Sequence, residues 1–596
     1  MRNVRLGHPQ RRVRAMFLGI CFVLSLFAVQ LLRLQALDAS AMAQEALGGR
    51  LVTVRVPALR GAILDAKGQP LASSAERFDV VVNQRVVKDW TRFVRSPDNP
   101  NRKVKVRLGV PEAAAMLAPA LNMDLTTLTT KLTGDRGYAV IAKAVTPAVW
   151  RKVEAQKVGG VDGVRTSQRV HPSGGLAAPI TGWYTPNADK FGGIEQRYNA
   201  QLTGVDGERT YERDPSGRQI ATGEVASRDA VPGQDVRLTI DRDLQWKAEQ
   251  AIAAQVTATN ALSGTAIVIR VKDGAILAMA NAPAFNPAAK GKALTANLGN
   301  RSVEDVYEPG STGKVMTAAA ALDEGVVTPM TPFVVNDTIR RGGKTFHDSH
   351  PHPTEYLTFA GVLAKSSNVG TIMTGERVSP EVMHSYFTKF GVGQPSGLGL
   401  PGESRGILAP VDQWSGSQRY TVLFGQGLSV NSIQAAGVYA TLANGGVRMP
   451  PRLVQGIQRA DGTVRPNPVA PGTRVVSEAT AKKVIEMLEG AVSDEGTAPE
   501  ARIPGYRVAG KTGTAQRYDD GCGCYRGYTG SFIGLAPADA PELVVAVTLQ
   551  RPIKGYYGGT VAAPVFRDIM TYALHEMQIP PTGTTSPSIQ LETDGG

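Results

Sequence analysis

The segment from Glu308 to Leu322 constrains the fold and chemistry of this chain more than any other. It reads Glu-Pro-Gly-Ser-Thr-Gly-Lys and continues into an alanine-rich run. Proline and glycine interrupt regular structure and alanine favours helix, so the pattern predicts a turn followed by a helix. Ser311 then lies at the helix N-terminus, and Lys314, one turn further on, shares its helical face.

The spacing of Ser311 and Lys314 favours nucleophilic catalysis. A serine hydroxyl is a weak nucleophile until a neighbouring base takes its proton, and a neutral lysine amine can do this. A serine at a helix N-terminus is more often only a cap. Ser311 nevertheless begins the one Ser-x-x-Lys sequence in the chain.

Two later segments add further hydroxyl, amide and amine groups in a fixed order. Ser366-Ser367-Asn368 begins 52 positions after Lys314, and Lys511-Thr512-Gly513-Thr514 contains the one Lys-Thr-Gly sequence in the chain. The segment Ser429-Val430-Asn431 also fits Ser-x-Asn and remains an alternative second motif. Three motifs in this order are far more specific than the first alone.

The N-terminus predicts a membrane anchor. Five arginines before residue 15 precede the run Met16–Leu32, which is apolar except for two residues. Extended to Leu37, it spans about 33 Å as a helix, which is enough for a bilayer. We expect a cytoplasmic tail at 1–15, a transmembrane helix at 16–37 and an exported remainder at the plasma membrane. A signal peptide cleaved near Ala39-Ser40-Ala41 is the alternative.

The formal charge of +13 does not indicate a nucleic-acid partner. Beyond the N-terminal arginines the basic residues are spread out, whereas nucleic-acid binding needs a concentrated basic face. Attraction to an anionic lipid or wall polymer is the milder inference.

Cysteines and histidines predict no cofactor and no metal. Cys522 and Cys524 flank Gly523 in a loop, and they are either a disulfide or two free thiols. The three histidines between His347 and His352 could bind a metal. They lie in a proline-rich segment before the second motif, so we expect an ordinary cleft-rim loop that includes Asp348.

The coarse pattern predicts an α+β protein. We expect an elongated mixed pedestal at 38–240, a catalytic domain at 241–576 and a disordered tail at 577–596 that is rich in Pro, Thr, Ser and Gly. In the catalytic domain, strands at 265–271, 275–280, 531–536 and 543–550 should form one antiparallel sheet flanked by helices. In the pedestal, 92–106 reads as a loop. Residues from Ser311 to Leu363 read as mostly helical.

Taken together, these motifs resemble class B penicillin-binding proteins, which are membrane-anchored peptidoglycan D,D-transpeptidases, and most closely their division-specific, FtsI-type members. The similarity extends to the segments 60–72, 193–204, 238–245 and 425–427, and so covers about 50–575. It implies a serine β-lactamase-like catalytic fold. One departure is His171, where we expect tyrosine.

The resemblance also implies a role for each motif residue. Ser311 attacks the carbonyl between two terminal D-alanines, Lys314 is the base, Ser366 relays a proton and Asn368 fixes Lys314 and the substrate amide. Lys511 should stay charged to bind the terminal carboxylate. The hydroxyls of Thr512 and Thr514 suit the same anion, and Gly513 should let substrate lie against the strand.

The expected partners are D-Ala-D-Ala peptide stems, β-lactams, a membrane glycosyltransferase and other division proteins. No glycosyltransferase-like sequence precedes the transpeptidase, so glycan polymerisation should belong to a partner. Alternatives are an elongation-specific transpeptidase, a carboxypeptidase or β-lactam-hydrolysing relative, and a non-catalytic division scaffold. The intact Ser311, Lys314 and Lys511 argue against a scaffold.

Overall fold

The computed structural model describes residues 9–37, 39–96, 98–185, 190–213, 219–289, 297–459, 461–519 and 521–593. Parts of both expected tails, 1–8 and 594–596, lie outside the described residues. The chain forms two compact units. The first contains the residues up to Leu59, Ala75–Gln168 and Val205–Pro232. The second contains Arg60–Ser74, Arg169–Gly204 and the chain from Gly233 onward.

The first unit begins with the expected long apolar helix. The helix Pro9–Leu32 continues into a π-helical turn at Arg33–Leu37. Its 28-residue stretch Pro9–Ala36 has a mean hydropathy of 2.4 in its most apolar window. At ~1.5 Å per residue it extends about 42 Å, which is enough to cross a membrane. Among the described residues it is the one helix that is both long and apolar enough to do so.

The rest of the first unit is mixed. Leu51–Val56 and Gln219–Arg228 pair antiparallel on either side of Gly207–Arg213. Ala139–Val145 pairs antiparallel with residues 78–82 of the strand Pro70–Val82, and Val161–Val170 is a further strand. The helices are Ala39–Gly48, Gln84–Lys88, Gly109–Leu121, Leu125–Leu132 and Pro147–Ala155.

The segment expected as a loop at 92–106 is a hairpin, so that expectation was wrong. Thr91–Ser96 pairs antiparallel with Asn99–Arg107. Most of its described side chains are exposed, so its sequence lacks the buried apolar face from which strands are usually recognised.

The second unit also contains a small sheet that combines strands from before residue 240 with two strands near residue 460. Ile63–Leu64, Asp235–Leu238, Val454–Gln458 and Val464–Pro466 lie side by side in one sheet. Short elements accompany it at Ala178–Thr181, Tyr184–Thr185, Lys190–Phe191, Gly193–Arg197 and Asn199–Leu202. Its buried Glu195 accepts hydrogen bonds from Arg60 and Arg169, each at 2.6 Å.

A five-stranded antiparallel sheet is the centre of the catalytic unit. Its strands are β1 (Ser263–Arg270), β2 (Ala275–Ala282), β3 (Ala509–Asp519), β4 (Cys524–Ala536) and β5 (Leu543–Gln550). They lie in the order β2-β1-β5-β4-β3. The expected pairing of strands from the two ends of the domain is confirmed, and β3 is left at one edge.

Helices cover both faces of this sheet. They are α1 (Arg242–Thr259), α2 (Lys314–Asp323), α3 (Phe359–Ala364), α4 (Asn368–Gly375), α5 (Pro380–Phe390), α6 (Ser432–Ala443), α7 (Glu478–Gly490) and α8 (Ala563–Glu576). Successive strand residues face opposite sides. Thus Val268 packs in the core with α1 and α8, and Ile267 packs in the larger core that contains α2.

Short elements complete the second unit. The helical turns are Arg301–Glu304, Gly310–Gly313, Val411–Gln413, Gln418–Thr421, Val422–Phe424, Pro499–Ala501 and Gly558–Val561. Val447–Arg448 pairs with Thr473–Arg474.

The expectation of mostly helical structure from Ser311 to Leu363 was wrong for its second half. Pro332–Val335 pairs with Glu355–Thr358, and Thr338–Arg341 pairs with Lys344–His347. Glycines at 342 and 343, both with positive φ, close the inner hairpin. Such two-residue glycine turns suit hairpins and stop a helix.

The described part of the C-terminal tail packs against the catalytic unit, which differs from the disorder expected for it. The Thr358 hydroxyl donates to the Gln590 carbonyl at 2.7 Å, and the Thr593 N–H donates to the Tyr356 carbonyl at 2.9 Å. Leu591 is 8% exposed. The composition is that of a flexible segment, but backbone pairing and one buried leucine fix it beside α3.

A pair of glycine substitutions tests this packing. A Cβ at Gly361 in α3 would overlap the carbonyl oxygen of Leu591, whereas a Cβ at Gly437 in α6 would have nothing within 4 Å. Gly361→Ala should therefore lower the free energy of unfolding by about 1–3 kcal/mol. Gly437→Ala should raise it by about 0.5–1 kcal/mol, because alanine is the better helix former. Denaturant unfolding measures both, and equal effects would contradict the packing of the tail.

Candidate active site

The Ser311 segment has the predicted form, a tight turn that leads into a helix. Gly310–Gly313 is a 3₁₀ turn that continues directly into α2. Gly310 has φ +54° and its N–H donates to the Gly425 carbonyl at 2.9 Å. Ser311 lies on the wall of a cleft. Glycine is needed at 310 because other residues rarely adopt that φ.

Lys314 is buried beneath the cleft, only 1% exposed. Its Nζ donates to the Ser366 carbonyl at 2.5 Å and contacts the Ser366 hydroxyl at 3.3 Å. Burial lowers the pKa of Lys314 to about 7, and the negative charge of Asp348 opposes that shift. The amine is therefore neutral in a large fraction of molecules near pH 7, as a base for Ser311 requires.

The second motif sits on a strained turn before α4. Ser366 has φ +65°, a left-handed conformation that costs a non-glycine residue about 1–2 kcal/mol. The Ser367 hydroxyl caps α4 by accepting the Gly370 N–H at 2.8 Å. Asn368 donates its amide to the His347 carbonyl at 3.0 Å. We expected Asn368 to fix Lys314, but Ser366 makes the hydrogen bonds to that amine.

The third motif lies on edge strand β3. Lys511 is fully buried. Burial and the neighbouring charge of Lys314 lower the pKa of Lys511 well below its usual value. We expected Lys511 to stay charged in order to bind the substrate carboxylate; in the free protein, burial and the charge of Lys314 oppose that charge.

Thr512 and Thr514 present hydroxyls to the cleft. Thr512 Oγ1 lies 2.9 Å from Thr497 Oγ1, and Thr514 Oγ1 accepts the Gly558 N–H at 3.1 Å. Both threonines line the cleft that Ser311 lines. These hydroxyls can donate to a bound anion.

Gly513 allows the Gly310–Gly313 turn, which carries Ser311, to approach β3. A Cβ there would lie 2.9 Å from the Pro309 carbonyl and 3.0 Å from the Thr312 methyl, and it would overlap the Ser531 hydroxyl. We expected the glycine to make room for substrate. Its missing side chain makes room for the turn that carries Ser311, and the approach of substrate there stays a prediction.

The cleft has a volume of about 410 Å³. Its walls bring together Ser311, Ser366, Asn368, Thr512 and Thr514 from sequence positions 200 residues apart. Lys314, Lys511 and Gly513 lie behind them. Further lining residues that the motifs did not indicate are Ser349, His350, Phe424, Gln426, Thr497, Glu500 and Tyr557. Ser349 and His350 belong to the loop that we expected at the cleft rim. No local spacing pattern could have identified the others, because they come from separate parts of the chain.

The alternative second motif at Ser429–Asn431 lies outside the cleft. Asn431 is fully buried and caps α6, where its side chain accepts the Gln434 N–H at 2.8 Å. The Ser429 hydroxyl is buried and has no hydrogen-bond partner among the described residues. Neither residue lines the cleft.

The Glu308 carboxylate links the turn that carries Ser311 to two neighbouring segments. Glu308 Oε1 accepts the Gly427 N–H at 2.9 Å and the Tyr525 hydroxyl at 3.1 Å. Tyr525 follows Cys524, which is disulfide-bonded to Cys522 at the β3–β4 hairpin. The disulfide, one of the two alternatives left open by the sequence, is thus the one observed.

The arrangement defines a serine acyl-transfer site. It has a hydroxyl at a helix tip, a buried amine with a pKa near neutrality and a strand edge beside them. An edge strand can hydrogen-bond an extended peptide. In this cleft we find no group of metal ligands among the described residues. The one candidate group in the described chain, Asp241, Asp243 and Glu576, surrounds the ammonium of Lys67.

Comparison with known proteins gives the same class. Residues 264–571 match the penicillin-binding protein transpeptidase domain, and residues 55–238 match the penicillin-binding protein dimerisation domain. Penicillin-binding protein PbpB of Mycolicibacterium smegmatis is 36% identical, across 96% of this chain and 92% of that protein. Peptidoglycan D,D-transpeptidase FtsI of Escherichia coli K12 is 32% identical, across 89% and 86%.

Solved structures agree with this fold. Penicillin-binding protein 3 of Mycobacterium tuberculosis in complex with aztreonam has a TM-score of 0.68 at 31% identity, and covers 91% of this chain and 100% of that one. A peptidoglycan synthetase from Bifidobacterium adolescentis has a TM-score of 0.72 at 33% identity with the same coverage. This chain belongs to the class B penicillin-binding proteins. It is a serine-type transpeptidase, and its class acts on peptidoglycan.

Proposed function

We propose that this protein cross-links peptidoglycan peptide stems at the division septum by two-step acyl transfer through Ser311. The observation that carries the proposal is the single cleft in which the Ser311 hydroxyl, the Ser366 hydroxyl above buried Lys314, and edge strand β3 meet. The division role is supported by relatives named FtsI and PbpB.

In the first step neutral Lys314 takes the Ser311 proton as the hydroxyl oxygen attacks the carbonyl between two D-alanines. The C–N bond then breaks and D-alanine leaves with a proton delivered through Ser366, which already contacts the amine. An acyl-enzyme ester remains. In the second step an amine of a neighbouring stem attacks the ester, its proton returns to Ser311, and a new peptide bond forms.

The free protein makes no hydrogen bond between Ser311 and Lys314 among the described residues. Catalytic hydrogen bonds are often long in unliganded sites and shorten when substrate binds. As in related enzymes, backbone N–H groups of Ser311 and Thr514 are the oxyanion donors in this proposal. Asn368, at the cleft wall, is placed to meet the substrate amide.

Binding of the terminal carboxylate is assigned to β3. Thr512 and Thr514 donate hydroxyl hydrogen bonds to it from the cleft wall. Lys511 lies directly behind them, with its Nζ 3.4 Å from the Thr512 hydroxyl. An approaching carboxylate raises the pKa of Lys511 and favours its protonated form. Lys511 thus becomes the counter-ion when substrate is bound.

The domain plan and topology follow from the same proposal. A cytoplasmic tail precedes a single membrane helix, a pedestal at 38–240 and an extracytoplasmic transpeptidase domain at 241–576. The two family matches, which lie within these bounds, support the division. We assign glycan polymerisation to a separate membrane glycosyltransferase and place this protein among the division proteins.

Mass spectrometry after penicillin treatment tests the proposal directly. Ring opening by Ser311 adds the whole antibiotic, so the peptide with Ser311 should gain the full mass of the penicillin. An adduct that persists for many minutes agrees with transfer, because a hydrolysing relative would release it rapidly. An adduct on another serine, or none, would contradict the assignment of the nucleophile.

A further inference from the structure

Asp348 is the one carboxylate that reaches the strained turn carrying the second motif in the described structure. It lies just after strand Lys344–His347, and it is 8% exposed. Its Oδ1 accepts the N–H groups of Asn368 and Val369, the latter at 3.0 Å. Its Oδ2 accepts the Ser367 hydroxyl at 2.7 Å. One carboxylate therefore binds three consecutive residues that follow Ser366.

These contacts hold Ser366 in a conformation that it would not adopt alone. The left-handed φ of Ser366 persists only when its surroundings fix it. That conformation directs the Ser366 carbonyl and hydroxyl at Lys314 Nζ, at 2.5 and 3.3 Å. The backbone before Asp348 contributes too, because the His347 carbonyl accepts the Asn368 amide.

Asp348 is itself held in place from the other side. Its N–H donates to the Asp337 carbonyl at 3.0 Å. His352 Nε2 lies 3.1 Å from Asp348 Oδ2, and His352 Nδ1 lies 2.7 Å from the Pro353 carbonyl. Both partners are acceptors, so both contacts are hydrogen bonds when the His352 ring is protonated. Although burial opposes it, these hydrogen bonds raise the pKa of His352.

We propose that Asp348 is a positioning residue for acyl transfer, which holds the Ser366–Asn368 turn against Lys314 and sets the charge that Lys314 experiences. The inference rests on the proposed function, because it concerns the same reaction. Asp348 touches no reacting atom and acts only through the turn and through its field.

The negative charge of Asp348 should affect the pH dependence of the reaction, which a residue with a purely structural role would leave unchanged. Four charged or titratable groups lie around Asp348: His347 at the end of the preceding strand, His352 in the rim loop, Lys314 on α2 and, beyond His352, Glu355. The negative charge favours protonated Lys314. Removing that charge should extend activity to lower pH even as the loosened turn slows the reaction.

The test compares Asp348→Asn with Asp337→Asn in the full-length protein. Asp337 lies in the same region, and its side chain makes no hydrogen bond or ion pair within the described chain. Stopped-flow acylation by nitrocefin gives the rate and the non-covalent binding constant separately from pH 5 to 9. We expect Asp348→Asn to lower the acylation rate about tenfold with little change in binding. We also expect the acidic limb of its pH–rate profile to shift down by about 0.5–1 pH unit.

A second variant covers the case in which Asp348→Asn does not fold. His352→Gln removes a facing cation and keeps a hydrogen-bond donor to Asp348, so the acidic limb should shift up instead. If Asp348→Asn behaves like Asp337→Asn, or if the limb stays fixed in both Asp348→Asn and His352→Gln, the inference is overturned. These outcomes are distinct from failure of the proposed function, in which the wild-type protein itself is not acylated on Ser311.

Discussion

Ser311→Ala is expected to abolish covalent labelling by a fluorescent penicillin and to reduce transpeptidation by a factor on the order of 10⁴ or more. The reason is chemical, because alanine has no atom that can form the acyl-enzyme ester. The fold should survive. Ser311 sits in a 3₁₀ turn at the cleft wall, and no described residue hydrogen-bonds to its hydroxyl.

Ser429→Ala is the matched control for Ser311→Ala. Ser429 belongs to the rival Ser-x-Asn motif, and its hydroxyl is buried without a described partner. Removing a hydroxyl that makes no hydrogen bond is neutral or stabilising. Labelling should therefore remain at the wild-type level. Retained labelling of Ser311→Ala, or its loss in Ser429→Ala, would show that the wrong serine has been assigned.

Lys314→Met is expected to slow acylation by about 10²–10⁴-fold, the usual contribution of a general base. Methionine fills the buried space of the lysine stem but cannot accept a proton. In the wild-type protein the pKa of Lys314 is about 7. The neutral amine is the active form, so the acylation rate should fall about tenfold per pH unit below 7 and level off above it.

Acylation rates at pH 5–9 check this prediction for wild type, Lys314→Met and Lys482→Met. Lys482 lies on the exposed face of α7, so its loss should leave both the rate and the profile intact. The profile of Lys314→Met should lose the limb near pH 7. A limb that persists in that variant would belong to another group, such as His352, and Lys314 would not be the base.

The catalytic fold could be predicted from sequence because its elements have local patterns. The continuous apolar runs of β1 and β2, the turn at Lys272–Gly274 and the alanine-rich α2 are each recognised from residues next to one another. The polar hairpin at 91–107 and the short hairpins at 332–358 could not be predicted in this way. Their side chains are partly exposed, so their strands have no continuous apolar face.

The motif residues of the site could be predicted from sequence, but the hydrogen bonds and charge interactions between them could not. Ser311, Ser366, Asn368 and the β3 residues were identified by order and spacing. The spacing does not reveal that Lys314 donates to Ser366, nor that Asp348 caps the second motif from a loop 20 residues away. The spacing also does not reveal that the pKa of Lys511 is lowered, because that shift arises from burial and from an amine nearly 200 positions earlier.

Placing two amines side by side away from solvent has a consequence for ligand recognition. Because burial lowers the pKa of both lysines, we expect the resting pocket to hold fewer protons at neutral pH than two exposed lysines would, and binding of an anionic stem should take up a proton from the buffer. The heat released on binding should therefore change with the ionisation enthalpy of that buffer. A neutral ester of the same peptide should show no such dependence.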